Sequence, residues 1–322
     1  MALTRKYGPN ELENSALCFG TMQFGDGADE KDSQEMYQAC RDNGINFFDT
    51  AYVYTGGKSE KILGKLITQD RENIILVTKA GSVGGSSGSN IRSQLEESLK
   101  RLNQDYVDIF FLHHWDDNIP LEETFEALRE LKEEKKFFHL GVSNFSAWQV
   151  MKAKALAEKY DFPNIDILQP MYNLVKRQAE VEILPMAKSE NIGVISYSPL
   201  GGGLLTGKYS TENNSLNENS SGRLHDNDKY KLRYGQNWMY EAAINLQKLA
   251  QNINQDPIAL AVAWVSYNDA ITAPIISARN LKQLQSSLDS TNISLNEETY
   301  KLISTISPTP PPATDRLEEM AH

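Results

Sequence analysis

Three successive apolar segments in the first part of the chain each end in an ionisable side chain. Asp49 ends the first, Lys79 the second and His113 the third, and Tyr54 follows shortly after Asp49. In a β-strand, side chains at alternate positions share a face. If these segments are neighbouring parallel strands of a barrel, their carboxyl ends meet at one mouth, and we expect these side chains to converge there.

Proton-transfer chemistry is what these residue types can do together. A buried Lys79 ammonium needs a counter-charge, which Asp49 can supply. A cation beside the Tyr54 phenol favours the phenolate, so we expect it to lower a pKa that starts at about 10. His113 can donate a hydrogen bond to a polarised oxygen. The set suits protonation of an oxygen that gains negative charge, as in carbonyl reduction, with the hydride supplied by a cofactor.

The elements that must position these residues alternate regularly along the chain. Most of the apolar segments are apolar at consecutive positions, which is typical of strands buried on both faces. We interpret eight segments as strands, at 17–22, 45–50, 73–79, 105–114, 137–145, 166–173, 193–200 and 271–277. The predicted helices lie at 29–44, 59–69, 89–102, 121–136, 146–160, 180–191, 239–253 and 280–290, with Ser59 as a candidate N-cap. This order predicts a closed (β/α)₈ TIM barrel.

One long insertion interrupts the barrel pattern. Residues 1–306 are predicted to form a single barrel domain, and residues 201–237, rich in Asn, Ser and Gly, are inserted after the seventh strand as a long, mobile loop. A lid over the ligand-binding face and a plain surface insertion both fit this position. The Pro-rich tail, 307–322, is expected to be partly disordered.

The composition excludes several classes of protein. The formal charge of −11 argues against general binding to nucleic acid or to an anionic membrane surface. The apolar stretch Ile258–Val265 is too short to span a bilayer, and the N-terminus has no apolar signal segment. Cys18 and Cys40 are the only cysteines, too few for a disulfide scaffold, so we expect a cytoplasmic protein with reduced thiols.

Nearly the whole chain resembles the aldo-keto reductase family. The resemblance is carried by six ordered motifs, INFFDTAYVYTGGKSEKILGK, IILVTKAG, YVDIFFLHHW, LGVSNFSAWQV, LQPMYNLVKR and ISYSPLGGGLLTGKY. It implies that Tyr54 is the general acid, that Lys79 and Asp49 tune it, and that His113 orients the carbonyl of a small-molecule substrate. Trp115, beside this predicted mouth, is a candidate for the substrate-pocket wall.

The resemblance also implies a nicotinamide cofactor, usually NADPH. The matching cofactor positions are Gly20, Thr21, Asp49, Ser143, Asn144, Gln169, Tyr197, Ser198, Leu200, Gly202, Gly203, Ser277, Arg279 and Gln283. Arg279 suits a 2′-phosphate, which favours NADPH over NADH. The chain departs from the family pattern at Ser286 and Ser287, where Glu-Asn is common, and at Asp116, where Pro is common.

Three other interpretations follow from the same residues. His113 and His114 suggest a zinc site, but adjacent strand residues point to opposite faces, which argues against a metal. GGLLTGKY, 202–209, resembles a phosphate-binding loop except that Tyr209 stands where a Ser or Thr is needed. An NADP(H)-binding regulatory or sensor subunit with little turnover is the main alternative. The physiological substrate and the oligomeric state are left open.

Overall fold

A closed parallel barrel forms the centre of the protein. The computed structural model describes residues 4–209 and 222–320. The chain begins with an antiparallel hairpin of β1 (Lys6–Tyr7) and β2 (Leu12–Glu13). Within the described ranges, the barrel strands are β3 (Cys18–Gly20), β4 (Phe47–Asp49), β5 (Ile75–Ala80), β6 (Val107–Leu112), β7 (Phe137–Ser143), β8 (Ile165–Gln169), β9 (Gly193–Ser196) and β10 (Ala273–Ile276). They follow chain order, and β10 pairs with both β9 and β3 to close the barrel. The predicted TIM-barrel fold is confirmed.

Both faces of the strands are buried, which explains their continuous apolar sequences. Phe47, Val77 and Phe111 belong to a cluster that fills the barrel interior. The alternating residues, such as Phe48 and Phe110, belong to the larger cluster beneath the surrounding helices. This alternation brings Asp49 into line with Phe47, and Lys79 into line with Val77, so both polar groups continue the inward-facing rows.

The helices surround the barrel close to their predicted positions. They are α1 (Glu30–Asp42), α2 (Lys58–Ile67), α3 (Gly88–Leu102), α4 (Leu121–Glu133), α5 (Ala147–Tyr160), α6 (Ile183–Ser189), α7 (Arg223–Asp226), α8 (Asp228–Tyr234), α9 (Asn237–Asn252), α10 (Pro257–Tyr267), α11 (Leu281–Leu288) and α12 (Glu297–Ser304). Within the described ranges, no helix is long and apolar enough to cross a membrane.

The N-terminus of α2 differs from the prediction. Gly57, with a φ of +87°, stands at the N-cap, and Ser59 lies inside the first turn. The Ser59 hydroxyl is buried and contacts the hydroxyls of Thr21 and Thr50 at 2.8 and 2.9 Å. The expected Ser59 cap is wrong because this hydroxyl joins helix α2 to the ends of two barrel strands instead.

Several elements lie outside the predicted set. The hairpin places Tyr7 against Phe47, with 5.6 Å between ring centroids, and so covers the interior at the amino-terminal end. α10 is apolar on nearly all sides, and it therefore lacks the amphipathic period of a surface helix. Asp256 at its N-cap and Pro257 at its first position were the available signals of its start.

The insertion after the seventh barrel strand is partly helical. Gly201–Thr206 forms 3₁₀ turns separated by a kink at Gly202 and Gly203, and α7 and α8 follow in the second half of the predicted loop. The predicted insertion over 201–237 therefore carries short helical segments, and its residues 210–221 lie outside the described residues. The tail is described as far as residue 320 and carries a 3₁₀ turn at Leu317–Met320.

Candidate active site

Asp49, Lys79, Tyr54 and His113 lie together at the carboxyl end of the barrel. The Lys79 Nζ lies 2.6 Å from the Asp49 carboxylate and 3.3 Å from the Tyr54 hydroxyl. The Tyr54 and His113 rings meet edge to face, with centroids 6.0 Å apart. Strand ends supply the first two groups, the turn that follows β4 supplies Tyr54, and His113 comes directly after β6.

Lys79 is a buried cation whose hydrogen bonds are supplied by its neighbours. Its side chain has no exposed surface, and its ammonium also donates to the Thr50 carbonyl at 2.7 Å. Burial disfavours the charged amine, but the attraction of Asp49 and Tyr54 is stronger in sum and raises the pKa of Lys79. The ammonium is therefore charged across the physiological range.

Tyr54 is a protonated phenol in this site. Burial raises the pKa of Tyr54, and the nearby Lys79 ammonium lowers it by a smaller amount. The Lys79 cation lowers this pKa as expected, but the net direction differs from the expectation because desolvation of the phenolate outweighs the attraction. Tyr54 therefore holds a proton that it can donate.

His113 is a neutral imidazole. Burial, with the positive charge of Lys79, lowers the pKa of His113 to about 3. Its Nδ1 is buried and has no hydrogen-bond partner within the described part of the chain. A neutral ring next to Tyr54 can donate one hydrogen bond to an oxygen without bringing a second positive charge into the site.

His113 and His114 do not point to opposite sides. Their rings stack in parallel, with centroids 5.0 Å apart. Both residues come after the last residue of β6, so the alternation of a strand no longer applies to them. Within the described residues, no group of three or more His, Cys, Asp or Glu side chains is arranged to hold a metal ion.

A chain of amides and hydroxyls extends from Asp49 across the barrel mouth. Gln169 donates to the Asp49 carboxylate at 2.9 Å, and Ser143 donates to the Gln169 carbonyl at 3.0 Å. Asn144 donates to the Ser143 hydroxyl and accepts from the Tyr197 hydroxyl, at 3.0 and 2.8 Å. These hydrogen bonds fix the orientation of polar groups around one opening.

A cavity of about 510 Å³ lies at this opening. Its lining includes Tyr54, His113 and every predicted cofactor residue apart from Thr21, namely Gly20, Asp49, Ser143, Asn144, Gln169, Tyr197, Ser198, Leu200, Gly202, Gly203, Ser277, Arg279 and Gln283. Thr21 is fully buried, and its hydroxyl donates to the Asp49 carbonyl at 3.0 Å. Thr21 thus supports the strand end that carries Asp49.

Comparison with known proteins is consistent with this arrangement. A family model described as the aldo/keto reductase family matches residues 16–308. The chain belongs to the aldo/keto reductase family. It is 35% identical over 321 residues to the uncharacterized oxidoreductase YrpG of Bacillus subtilis, covering 94% of this chain and 95% of that protein.

Two further relatives differ in what their names describe. An aflatoxin B1 aldehyde reductase member 2 from Rattus norvegicus is 32% identical over 312 residues, which cover 90% of this chain and 85% of that protein. A probable voltage-gated potassium channel subunit beta from Arabidopsis thaliana is also 32% identical, over 308 residues that cover 90% of this chain and 91% of that protein. Aldo/keto reductase relatives thus include reductases and a channel subunit.

Basic residues of the insertion, absent from the predicted set, also line the cavity of this member of the aldo/keto reductase family. They are Lys208, Arg223 and Arg233. Arg223 donates to the Tyr230 hydroxyl at 3.3 Å, and the Arg223 and Arg233 guanidinium carbons lie 5.4 and 5.6 Å from the Tyr230 ring centroid. Their basic character in an insertion that follows a barrel strand was the available signal.

The segment 202–209 lies along this cavity but does not have the form of a phosphate-binding loop. Gly202, Gly203 and Lys208 line the cavity. The segment's first part consists of 3₁₀ turns kinked at Gly202 and Gly203, and Tyr209 is fully buried. A phosphate-binding loop instead leads from a strand into an α-helix that begins beside its Lys.

A second space, about 710 Å³ in volume, adjoins Tyr54. Its walls come from the loops after β3, β4 and β10, from the start of α2 and from α7 and α8, and they include Met22, Val53, Lys58 and Tyr230. It shares six lining residues with the first cavity, namely Met22, Gln23, Tyr54, Arg223, Tyr230 and Arg279.

Trp115 does not line either cavity. Its ring meets Phe145 and Trp148 edge to face at 5.3 and 5.6 Å, and its Nε1 donates to Asp117 at 2.7 Å. The neighbouring Asp116, a departure from the family pattern, accepts from the Ser86 amide at 2.8 Å and so holds the loop after β5. Of the other departures, Ser287 lines the first cavity and the Ser286 hydroxyl donates to Asp256 at 3.3 Å.

Proposed function

We propose that this protein is an NADP(H)-dependent reductase of aldehyde or ketone carbonyls, with Tyr54 as the general acid. The observation that carries this proposal is a protonated Tyr54 phenol, 3.3 Å from the charged Lys79 ammonium and beside the neutral His113 ring. Each group has the protonation state that the forward reaction needs at neutral pH.

The cavity has the donor groups that an extended dinucleotide requires. Its volume of about 510 Å³ lies within the range of cofactor sites. Ser143, Asn144 and Gln169 present amides and hydroxyls at the barrel centre, where a carboxamide would bind, and the Tyr197 ring offers a flat surface beside them. When bound, the nicotinamide supplies the hydride that no side chain can supply.

The cationic groups of the cavity fit the phosphates of such a cofactor. Lys208, Arg223 and Arg279 all line it, in a chain whose net charge is −11. Gly202 and Gly203, with φ of +67° and +95°, bring bare backbone to the same wall. Arg279 presents a bidentate fork suited to a 2′-phosphate, which supports NADPH over NADH.

Tyr54 and His113 both contact the substrate carbonyl oxygen in the proposed reaction. His113 donates a hydrogen bond to that oxygen, and this stabilises the negative charge that develops there. As the carbonyl carbon accepts the hydride, the Tyr54 proton moves to the oxygen, leaving an alcohol and a phenolate. The Lys79 ammonium stabilises the phenolate, and Asp49 keeps Lys79 charged and in place. The same groups act in reverse when an alcohol is oxidised.

The decisive experiment measures NADPH oxidation with a panel of aldehydes and ketones. The wild-type protein should turn over, and Tyr54→Phe should lower kcat by about a hundredfold or more while NADPH binding stays nearly unchanged. Phenylalanine preserves the ring against His113 and removes the proton. Turnover of Tyr54→Phe at the wild-type rate would contradict the mechanism.

A regulatory or sensor role is the second candidate function. It is favoured by the similarity to a probable potassium channel subunit beta. Tight NADPH binding without turnover across the carbonyl panel would support it, and steady NADPH oxidation would exclude it.

The proposal also includes a single domain over residues 1–306 and a cytoplasmic location. The free, buried thiols of Cys18 and Cys40 support the proposed location.

A further inference from the structure

A buried ion pair connects the two backbone segments that carry Lys79 and Tyr54. The Glu60 carboxylate, on α2, has no exposed surface and lies 3.1 Å from Arg101 Nη1 on α3. Glu60 accepts a hydrogen bond from Thr78 at 2.7 Å, and Arg101 donates to the Tyr52 carbonyl at 2.9 Å. Thr78 directly precedes Lys79 in β5, and Tyr52 stands two residues before Tyr54.

The Arg101 guanidinium packs closely against the turn over residues 52–57, which carries Tyr54 and is called the Tyr54 turn below. Its guanidinium carbon lies 4.4 Å from the Tyr52 ring centroid. Gly57 ends the turn with a φ of +87°, and a Cβ there would lie 2.7 Å from the same carbon. The Tyr52 amide donates to the Lys79 carbonyl at 3.0 Å, so the turn is also tied directly to the strand.

This network holds the distance between the Lys79 Nζ and the Tyr54 hydroxyl. The 3.3 Å between Lys79 and Tyr54 is longer than the about 2.7–2.9 Å of a strong charge-assisted hydrogen bond. A small movement of the Tyr54 turn therefore changes how strongly the ammonium stabilises the phenolate. None of these supporting residues lines the cavity that contains Tyr54 and His113.

We infer that Glu60 and Arg101 are positioning residues for carbonyl reduction, which hold the Tyr54 turn against β5 and thereby set the acidity of the Tyr54 phenol. This inference rests on the proposed function for its catalytic consequence. The expected effect of Glu60 and Arg101 on the pKa of the Tyr54 phenol can be measured whether or not the protein turns over a substrate. Arg101 also donates from Nε to Glu97 at 3.1 Å, so the guanidinium has a second acidic partner besides Glu60.

The barrel contains a closely matched control for this ion pair. At the other end of the strands, Arg71 pairs with the buried Asp108 at 2.9 Å. Arg71 also donates to the Tyr106 carbonyl and stands 4.3 Å from the Tyr106 ring centroid, as Arg101 does for Tyr52. Arg71 also donates to the Ile74 carbonyl at 2.9 Å, and Asp108 accepts from the Leu76 amide at 2.8 Å, both at the amino-terminal end of β5. Arg71→Met therefore breaks a comparable pair at the end of β5 opposite to Lys79 and the Tyr54 turn.

The first test measures the Tyr54 phenol directly. The protein is labelled with ¹³C at tyrosine Cζ, Tyr54→Phe assigns the Tyr54 signal, and the signal is followed against pH. In Arg101→Met and Glu60→Gln we expect the Tyr54 pKa to move by about half a pH unit or more, and in Arg71→Met to stay at the wild-type value. Equal values in all four proteins would overturn the inference.

The second test measures kinetics in the same variants. Arg101→Met and Glu60→Gln should lower kcat about tenfold, with the KM of the carbonyl substrate changed less than about threefold. Arg101→Lys can pair with Glu60 but lacks the planar fork that also reaches the Tyr52 carbonyl, so we expect partial recovery relative to Arg101→Met. A loss of kcat in Arg71→Met equal to that in Arg101→Met would show a general effect of stability and overturn the inference.

The design separates the two proposals. Glu60→Gln keeps the shape of the side chain, so it provides a folded variant if Arg101→Met does not fold. A wild-type protein without turnover would overturn the proposed function, and the phenol titration would still decide the positioning role. If the wild-type protein turns over and the Tyr54 pKa is the same in Arg101→Met and Glu60→Gln as in wild type, the positioning role alone is overturned.

Discussion

The ammonium of Lys79 lies 3.3 Å from the hydroxyl of Tyr54, yet the pKa of Tyr54 is raised above its ordinary value. Burial of the phenolate explains this direction, and it outweighs the nearby cation. The site thus holds a protonated phenol whose conjugate base can be stabilised at once by a charge already in place. Four predictions follow from this arrangement and from the cavity around it.

Lys79→Met should lower kcat for carbonyl reduction by about a hundredfold or more, because the Tyr54 phenolate loses its stabilising charge. NADPH affinity should change little, since Lys79 does not line the cavity. Steady-state kinetics and a fluorescence titration measure the two effects. The single variant leaves Asp49 as a buried unpaired carboxylate, so Asp49→Asn/Lys79→Met is the matched control for stability. A kcat within about threefold of wild type would exclude the assigned role.

The pH dependence of the free energy of unfolding should show that His113 is neutral in the folded chain. Its pKa is about 3 in the folded chain and 6.5 in an ordinary setting, so the unfolded chain binds a proton that the folded chain does not bind in this range. The free energy of unfolding should therefore decrease as the pH falls from 6.5 toward 3, and His113→Asn should make this decrease smaller. Urea unfolding across that range measures it. Identical slopes would show that His113 is not held neutral.

Arg279→Ala should weaken NADPH binding by about 10- to 100-fold and leave NADH binding almost unchanged, because only NADPH carries the 2′-phosphate. Lys282→Ala is the control, since Lys282 is a neighbouring basic residue that is exposed and outside the cavity lining. Fluorescence titrations with both cofactors give the dissociation constants. Equal losses of affinity for NADPH and NADH would show that Arg279 does not bind the 2′-phosphate.

Gly202→Ala should weaken NADPH binding by more than about fivefold, because a Cβ there would lie 2.6 Å from the Tyr230 ring and would displace α8 from the cavity wall. Gly44→Ala is the control, since Gly44 also has a positive φ, of +74°, but a Cβ there meets no atom within 4 Å. Both variants carry backbone strain of about 1 kcal/mol. A thermal melt of each measures the shared strain, and a titration measures the difference in binding. Equal NADPH affinities in the two variants would contradict the role of the α8 wall.

Local sequence patterns were sufficient to predict the strands and the barrel that position the site. Phe47 and Asp49 had to share a face because a strand repeats every two residues, and continuous apolar runs had to be buried on both sides. The order of strands and helices then required a closed barrel with one mouth for ligands. The family motifs added the predicted cofactor positions, and among them Gln169, Tyr197 and Arg279 lie along the cavity.

Only the tertiary structure decided the properties that depend on many neighbours at once. The direction of the Tyr54 pKa depends on how much water is excluded around the phenol, which no spacing along the chain contains. The stacked rings of His113 and His114, and the position of Trp115 outside both cavities, depend on where a strand ends and on what packs beside it. Sequence therefore determined which chemical groups reach the mouth of the barrel. Three-dimensional packing determined their protonation states, because solvation and charge act through space rather than along the chain.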